Sequence, residues 1–250
     1  MRSVFAFICA AVVGVIAGRE REARACGVSS PGAPAGVCDA SDVLDAKTAS
    51  ARTRRVGVSA SYATTAMLLS DGTRVDMQRE AAVATVSVRA DRKTNLEIGA
   101  GALVGGTLGN VSLRPGGLVS LSASWHIVDQ RGYAVPFFMV TGGVAAMLAS
   151  TSDGKPVGAI DFRVGGIVGT TLGKPQTATL TPYLAVNFFG GPMFWAHTVD
   201  ATHYGPVLGS DAYHYALGGG LAASISRIGL FAGGSAIGER SLTFGASLSF

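Results

Sequence analysis

The chain has 250 residues, of which 14% are charged and 35 are glycine, against about 25% charged and about 7% glycine in ordinary globular domains. So few charges argue against an ordinary soluble enzyme, and a formal charge of +4 is too small for a nucleic-acid-binding surface. The only long uninterrupted apolar run, residues 4–17, falls short of the ~20 residues a spanning helix needs, which excludes a helical membrane protein.

The N-terminus reads as an export signal. Arg2 precedes the apolar run, Gly18 follows it, and Ala23 and Ala25 are small residues where a signal peptidase reads. The expected signal peptide is therefore 1–25, although the charged stretch Arg19, Glu20, Arg21 and Glu22 can shift the cut by several residues. Arg24 breaks the pattern required of a lipoprotein acceptor at Cys26. Cys9 leaves with the signal, and Cys26 and Cys38 then stand in an oxidising compartment on either side of a turn-rich loop, so a disulfide between them is expected. No metal site is expected there, because the next candidate ligand of the His or Cys type is His126. Residues 26–52 form a polar periplasmic leader, and residues 53–250 are expected to form one unit.

From about Arg54 the texture is period-two alternation broken by turn clusters, with no sustained helical stripe. Val56, Val58, Ala60, Tyr62, Ala66 and Leu68 share one face of a first strand, opposite Gly57, Ser59, Ser61 and Thr65. Ala82, Ala84, Val86, Val88 and Ala90 mark a second, and Leu96, Ile98, Ala100, Ala102 and Val104 a third. In the fourth, the most regular, Val119, Leu121, Ala123, Trp125 and Ile127 oppose Ser120, Ser122, Ser124 and His126. Phe138, Val140, Val144, Ala146 and Leu148 mark a fifth, with a less polar opposite face of Phe137, Met139, Thr141 and Ala145. Ile160, Phe162, Val164, Val168 and Leu172 mark the sixth, and Leu184, Val186 and Phe188 the seventh. A polar and aromatic insertion, 197–212, reads as a long loop. Three strands follow, led by Tyr213, Tyr215, Leu217 and Leu221, then Ile228, Leu230, Ala232 and Ala236, then Leu242, Phe244, Ala246, Leu248 and Phe250. The count is ten, with eight or twelve as the neighbouring counts.

The face opposite the apolar one carries Gly, Ser, Thr and Ala rather than the Lys, Glu and Arg of a wet sheet. Both faces are thus shielded from bulk water, which fits a closed antiparallel up-and-down transmembrane β-barrel, apolar outside and small-residue inside. Closure removes the edges that would otherwise need charged protection. With the leader in the periplasm, most inner connections are short, while the long 197–212 insertion falls outside together with a tight turn at Gly238 and Glu239. Trp125 and Tyr133 fall near inner strand ends and Tyr62, Phe194, Trp195, Tyr213 and Tyr215 toward outer ends, as interfacial girdles do.

The final strand, with Phe244, Leu248 and a terminal Phe250 in alternation, resembles the C-terminal strand of Gram-negative outer-membrane β-barrel proteins. That resemblance implies residence in the bacterial outer membrane, contact with its lipid, and recognition of the last strand by the outer-membrane assembly machinery; it extends to no particular named family.

Arg89, Glu97, His126, Asp161 and Arg163 share the small-residue face and form a candidate lumenal charge cluster, either selecting solutes or pairing internally as a neutral plug. His197, Asp200, His203, Asp211 and His214 concentrate at one mouth. Their spacing matches no ligand signature, so a solvent-facing extracellular loop is the leading reading there, ahead of metal binding or catalysis. The expectation is a small, porin-like passive channel or binder of small solutes, with no cofactor, no nucleic-acid partner and no enzymatic activity. A non-conducting structural or surface-interaction barrel is the alternative, and a lipid-modifying enzyme the third reading.

Overall fold

The computed structural model describes residues 54–250 apart from 92, 131–134, 175–176, 197, 201–202 and 205–206. The expected signal peptide, the leader with Cys26 and Cys38, and Tyr133 lie outside the described residues. In chain order the strands are β1 (Arg54–Leu69), β2 (Arg74–Arg89), β3 (Thr94–Leu108), β4 (Val111–Ser112), β5 (Gly116–Val128), β6 (Phe137–Ser150), β7 (Pro156–Gly169) and β8 (Leu172–Lys174). They continue as β9 (Ala178–Gly190), β10 (Met193–Trp195), β11 (Thr198–Asp200), β12 (His203–Tyr204), β13 (Val207–Asp211), β14 (Tyr215–Ile225), β15 (Ile228–Gly238) and β16 (Arg240–Ser249).

Ten of these, β1, β2, β3, β5, β6, β7, β9, β14, β15 and β16, follow one another around an antiparallel sheet, and β16 returns to β1 from Arg55↔Ser249 to Thr64↔Arg240. The sheet is a closed ten-stranded barrel in which the wall itself satisfies the backbone hydrogen bonds, the condition a β structure in lipid must meet. The end where β1 begins and β16 finishes is called inner here, and the opposite end outer.

Alternation sets the two faces. Val119, Leu121 and Trp125 on β5 are exposed, while Ser120, Ser122, Ser124 and His126 between them are buried. Val86 on β2, Ile98 on β3, Leu184 and Phe188 on β9, and Leu242 and Phe244 on β16 likewise face outward. Counted from the inner end, the first outward charge on β16 is Arg240 and on β2 it is Glu80. The band is tall enough for a bilayer: the outward run Phe138 to Leu148 on β6, at ~3.3 Å per residue and a tilt of ~40°, rises about 25 Å.

The outer end departs from the sequence reading. Gly191 and Pro192 interrupt the seventh predicted strand, and its continuation β10 stays paired with β7, Met193↔Ala159 to Trp195↔Val157. The 197–212 insertion is not wholly loop. Its last part, β13, pairs with β10 on one side and with β1 on the other, through Met67↔Asp211 to Leu69↔Gly209. The β15–β16 hairpin ends below β13, so the outer rim is an eight-membered collar of β1, β2, β3, β5, β6, β7, β10 and β13 standing on a ten-stranded belt. The tip of that hairpin lies toward the outer end, where the sequence places the turn, but below the rim, because β13 passes above it.

Two glycine positions make this geometry feasible. Gly238 turns the tip with φ +78°, and a Cβ there would sit 1.7 Å from the Tyr215 carbonyl oxygen, so only glycine fits. On the lumenal side Tyr183 lies across the wall with its hydroxyl 2.1 Å from where a Gly233 Cβ would be, so the glycine-rich stretch of β14 and β15 serves as the seat for this ring.

Candidate functional site: the barrel lumen

Eight strands enclose a bore that side chains can fill, and the collar is filled. Met67, Leu69, Met77, Leu103, Leu108, Leu113, Leu118, Met147, Val157, Met193, Trp195 and Val207 form one buried cluster drawn from every member of the collar. Leu103, Leu108, Val157 and Met193 have no accessible surface. Trp195 belongs to this packing and is not part of an outer aromatic girdle: β10 follows the lumenal parity of Met193, which turns its indole inward.

Directly below lies an ionic layer. Glu239, at the hairpin tip, has a fully buried side chain and receives three guanidinium hydrogen bonds. Arg163 on β7 donates from Nη1 to Oε1 at 2.9 Å and from Nη2 to Oε2 at 2.8 Å, and Arg79 on β2 donates from Nη2 to Oε2 at 3.0 Å. Arg163 also donates to Asp161 Oδ2, from Nε at 2.9 Å and from Nη2 at 2.7 Å, and its guanidinium stacks 5.0 Å from the centre of the Phe189 ring. Two arginines and two carboxylates thus neutralise one another and tie β2, β7 and the hairpin tip together. A bidentate Arg–carboxylate pair of this kind is among the stronger and more directional polar contacts. Asp211 stands beside the layer, accepting from Thr65 Oγ1 at 3.1 Å.

The inner half of the lumen is two-sided. Phe137, Met139, Ile167, Tyr183, Ala185, Ala222 and Phe231 make an apolar cluster on the β6, β7, β9, β14 and β15 wall. The opposite wall presents Ser59, Ser61, Thr85, Ser87, Glu97, Ser120, Ser122, His126, Thr243 and Ser247, all buried. The hydroxyls of Ser59, Ser120, Ser122, Thr243 and Ser247 have no hydrogen-bond partner among the described residues.

Of the sequence-derived candidates, Asp161 and Arg163 meet in the ionic layer. Glu97 and His126 are buried on the polar inner wall, and Arg89 lies at the inner end of β2 with the same parity; all three are engaged in polar or electrostatic contacts. Of the mouth cluster, two residues can be placed. Asp211 is a strand residue bonded to Thr65, and His214, just before β14, is exposed with Nδ1 3.3 Å from the Phe189 carbonyl oxygen. His197 and the side chains of Asp200 and His203 lie outside the described residues. Phe244 faces outward, Leu248 pairs with Val56 and Ile228, and the Phe250 amide donates to the Arg54 carbonyl at 2.9 Å.

Sequence reasoning missed Arg79 and Glu239, although parity could have found both. Counting back by twos from Ser87 places Arg79 in the lumen, and counting back from Thr243 does the same for Glu239.

No family profile matches the sequence, and no curated protein matches it. Among solved structures, the chain is similar to the translocator domain of autotransporter NalP from Neisseria meningitidis, with a TM-score of 0.42 and 12% identity over 85% of this chain and 92% of that one. It is also similar to the Pseudomonas putida toluene transporter TodX, with a TM-score of 0.26 and 6% identity over 87% of this chain and 94% of that one.

Proposed function

We propose that the chain is an integral β-barrel of a bacterial outer membrane that does not conduct, and that it acts as a structural or surface-interaction barrel. The observation that carries this reading is the filled collar: apolar side chains from all eight members close the bore, and the neutral layer of Arg79, Arg163, Asp161 and Glu239 lies beneath it. A passing solute would have to displace both. The outward band, free of charge inward of Glu80 on β2 and of Arg240 on β16, supports membrane placement, since exposed apolar surface of this extent costs free energy in water and none in lipid. On this reading its partners are outer-membrane lipid and, through the strand ending in Phe244, Leu248 and Phe250, the assembly machinery. No catalytic role is assigned.

Planar-bilayer recording tests it against the channel. Purified barrel whose insertion is confirmed by a heat-dependent gel shift is expected to show no stepwise current at modest voltage. Regular openings from the unaltered protein would overturn the closed reading in favour of a small porin-like pore.

A further inference from the structure

The wall steps from ten members to eight, and the step leaves a recess on its outward surface. The β15–β16 hairpin stops at Glu239, β13 passes over the tip to reach β1, and a cavity of about 470 Å³ opens between them. It is lined by Arg74, Asp76, Tyr213, Tyr215, Ile237 and Arg240, with smaller residues behind. Register sets its level. Leu242 pairs with Tyr62 and Arg240 with Thr64, so on β16 the recess begins where the outward face turns from apolar to charged.

Its chemistry is that of an anion site with an apolar lower edge. Arg74 Nη2 donates to Tyr213 Oη at 2.8 Å, and its guanidinium lies 5.0 Å from the centre of that ring. This contact holds Arg74 in place and leaves its other N–H groups for a ligand. Arg240 is exposed and makes no ion pair among the described residues. Two guanidiniums face one carboxylate, Asp76, so the lining is net positive. The nearby Glu80 leans the other way, its Oε2 3.7 Å from where a Cβ on Gly105 of β3 would be.

We propose that this recess binds the anionic phosphate headgroup of a lipid in the outer leaflet, with Arg74 and Arg240 on the phosphate oxygens and Ile237 and Tyr215 against the apolar part of the same molecule. The inference rests on the membrane placement proposed above. Guanidinium is the cation best matched to phosphate geometry, and a basic site at the membrane surface meets phosphate at high local concentration. Prior ordering of Arg74 by Tyr213 lowers the cost of binding.

Native mass spectrometry of the full barrel in a neutral detergent tests it, with phosphatidic acid, phosphatidylcholine or sodium phosphate added. One phosphatidic acid is expected to be retained about tenfold more tightly than phosphatidylcholine, and the double variant Arg74→Gln/Arg240→Gln is expected to abolish that preference. Asp76→Asn is expected to keep or strengthen it. Equal retention of the two lipids, or an unchanged preference in the double variant, overturns the proposal, and tight retention of inorganic phosphate alone overturns its lipid part. Heat-dependent gel mobility and membrane insertion are scored on the same preparations. A barrel that inserts but shows no charge preference sinks this inference alone, whereas a chain that does not insert sinks the membrane reading with it.

Discussion

The collar and the belt below it are built from the same alternating strands yet fill their interiors differently. In the collar, eight members bring facing walls close enough for Leu103, Leu108, Val157 and Met193 to pack with no accessible surface. In the belt, ten strands hold the walls farther apart, and the polar wall carries hydroxyls such as Ser122 and Thr243 with no partner among the described residues. The difference teaches that bore, set by how many strands close the ring, decides whether a lumenal side chain is core or lining. The ionic layer sits at the change of bore, where the hairpin tip brings Glu239 within reach of both β2 and β7.

Removing the joint between the two regions is expected to have the largest effect. Glu239→Ala takes from Arg79 and Arg163 the carboxylate they share and leaves Asp161 as the one remaining ion-pair partner among the described residues, with Asp211 nearby, and breaking a buried ion network in this way costs roughly 3–5 kcal/mol. Urea titration in detergent, followed by gel mobility without boiling, is expected to show a markedly lower midpoint than the parent; an unchanged midpoint would mean that the layer is solvated and contributes little.

A cavity in the collar comes next. Leu103→Ala is expected to cost roughly 2–5 kcal/mol, because a packed ring of neighbours cannot collapse around the lost atoms. The same titration checks it, and a loss below about 1 kcal/mol would place Leu103 in a loose lining rather than a core.

The smallest effect belongs to the belt. Ser122→Ala removes a hydroxyl that bonds to nothing among the described residues, and a change within about 0.5 kcal/mol is expected. A large destabilisation there would reveal a hydrogen-bonded network in the inner lumen and erase the contrast between the two halves.

Much of the fold was legible because lipid and lumen impose opposite demands at every second residue. Val119, Leu121 and Trp125 against Ser120, Ser122 and His126 is a pattern that one strand carries without reference to any other. The inner turns were equally local: Asp91 accepts from the amides of Lys93 and Thr94 at 2.7 and 2.8 Å, and these bonds hold its carboxyl below the usual carboxylate range. The site was legible only in part. Asp161 and Arg163, two apart on one strand, announced themselves as neighbours, whereas Arg79 and Glu239 are 160 positions apart and no local pattern joins them. Trp195 read as a girdle residue because nothing near it in the chain reveals that Gly191 and Pro192 keep β10 on the β7 edge.

By itself, then, the sequence determined the period, the two faces, the strand number and the direction each strand runs, since these follow from the two-residue repeat and from where turns fall. Only the tertiary structure decided that the insertion returns as a wall strand, that the ring narrows from ten members to eight, and that Glu239 closes an ionic layer across the bore. Those features depend on which distant segments claim the free edges of β1 and β7, and edge pairing is settled by closure of the whole ring rather than by any stretch of chain alone.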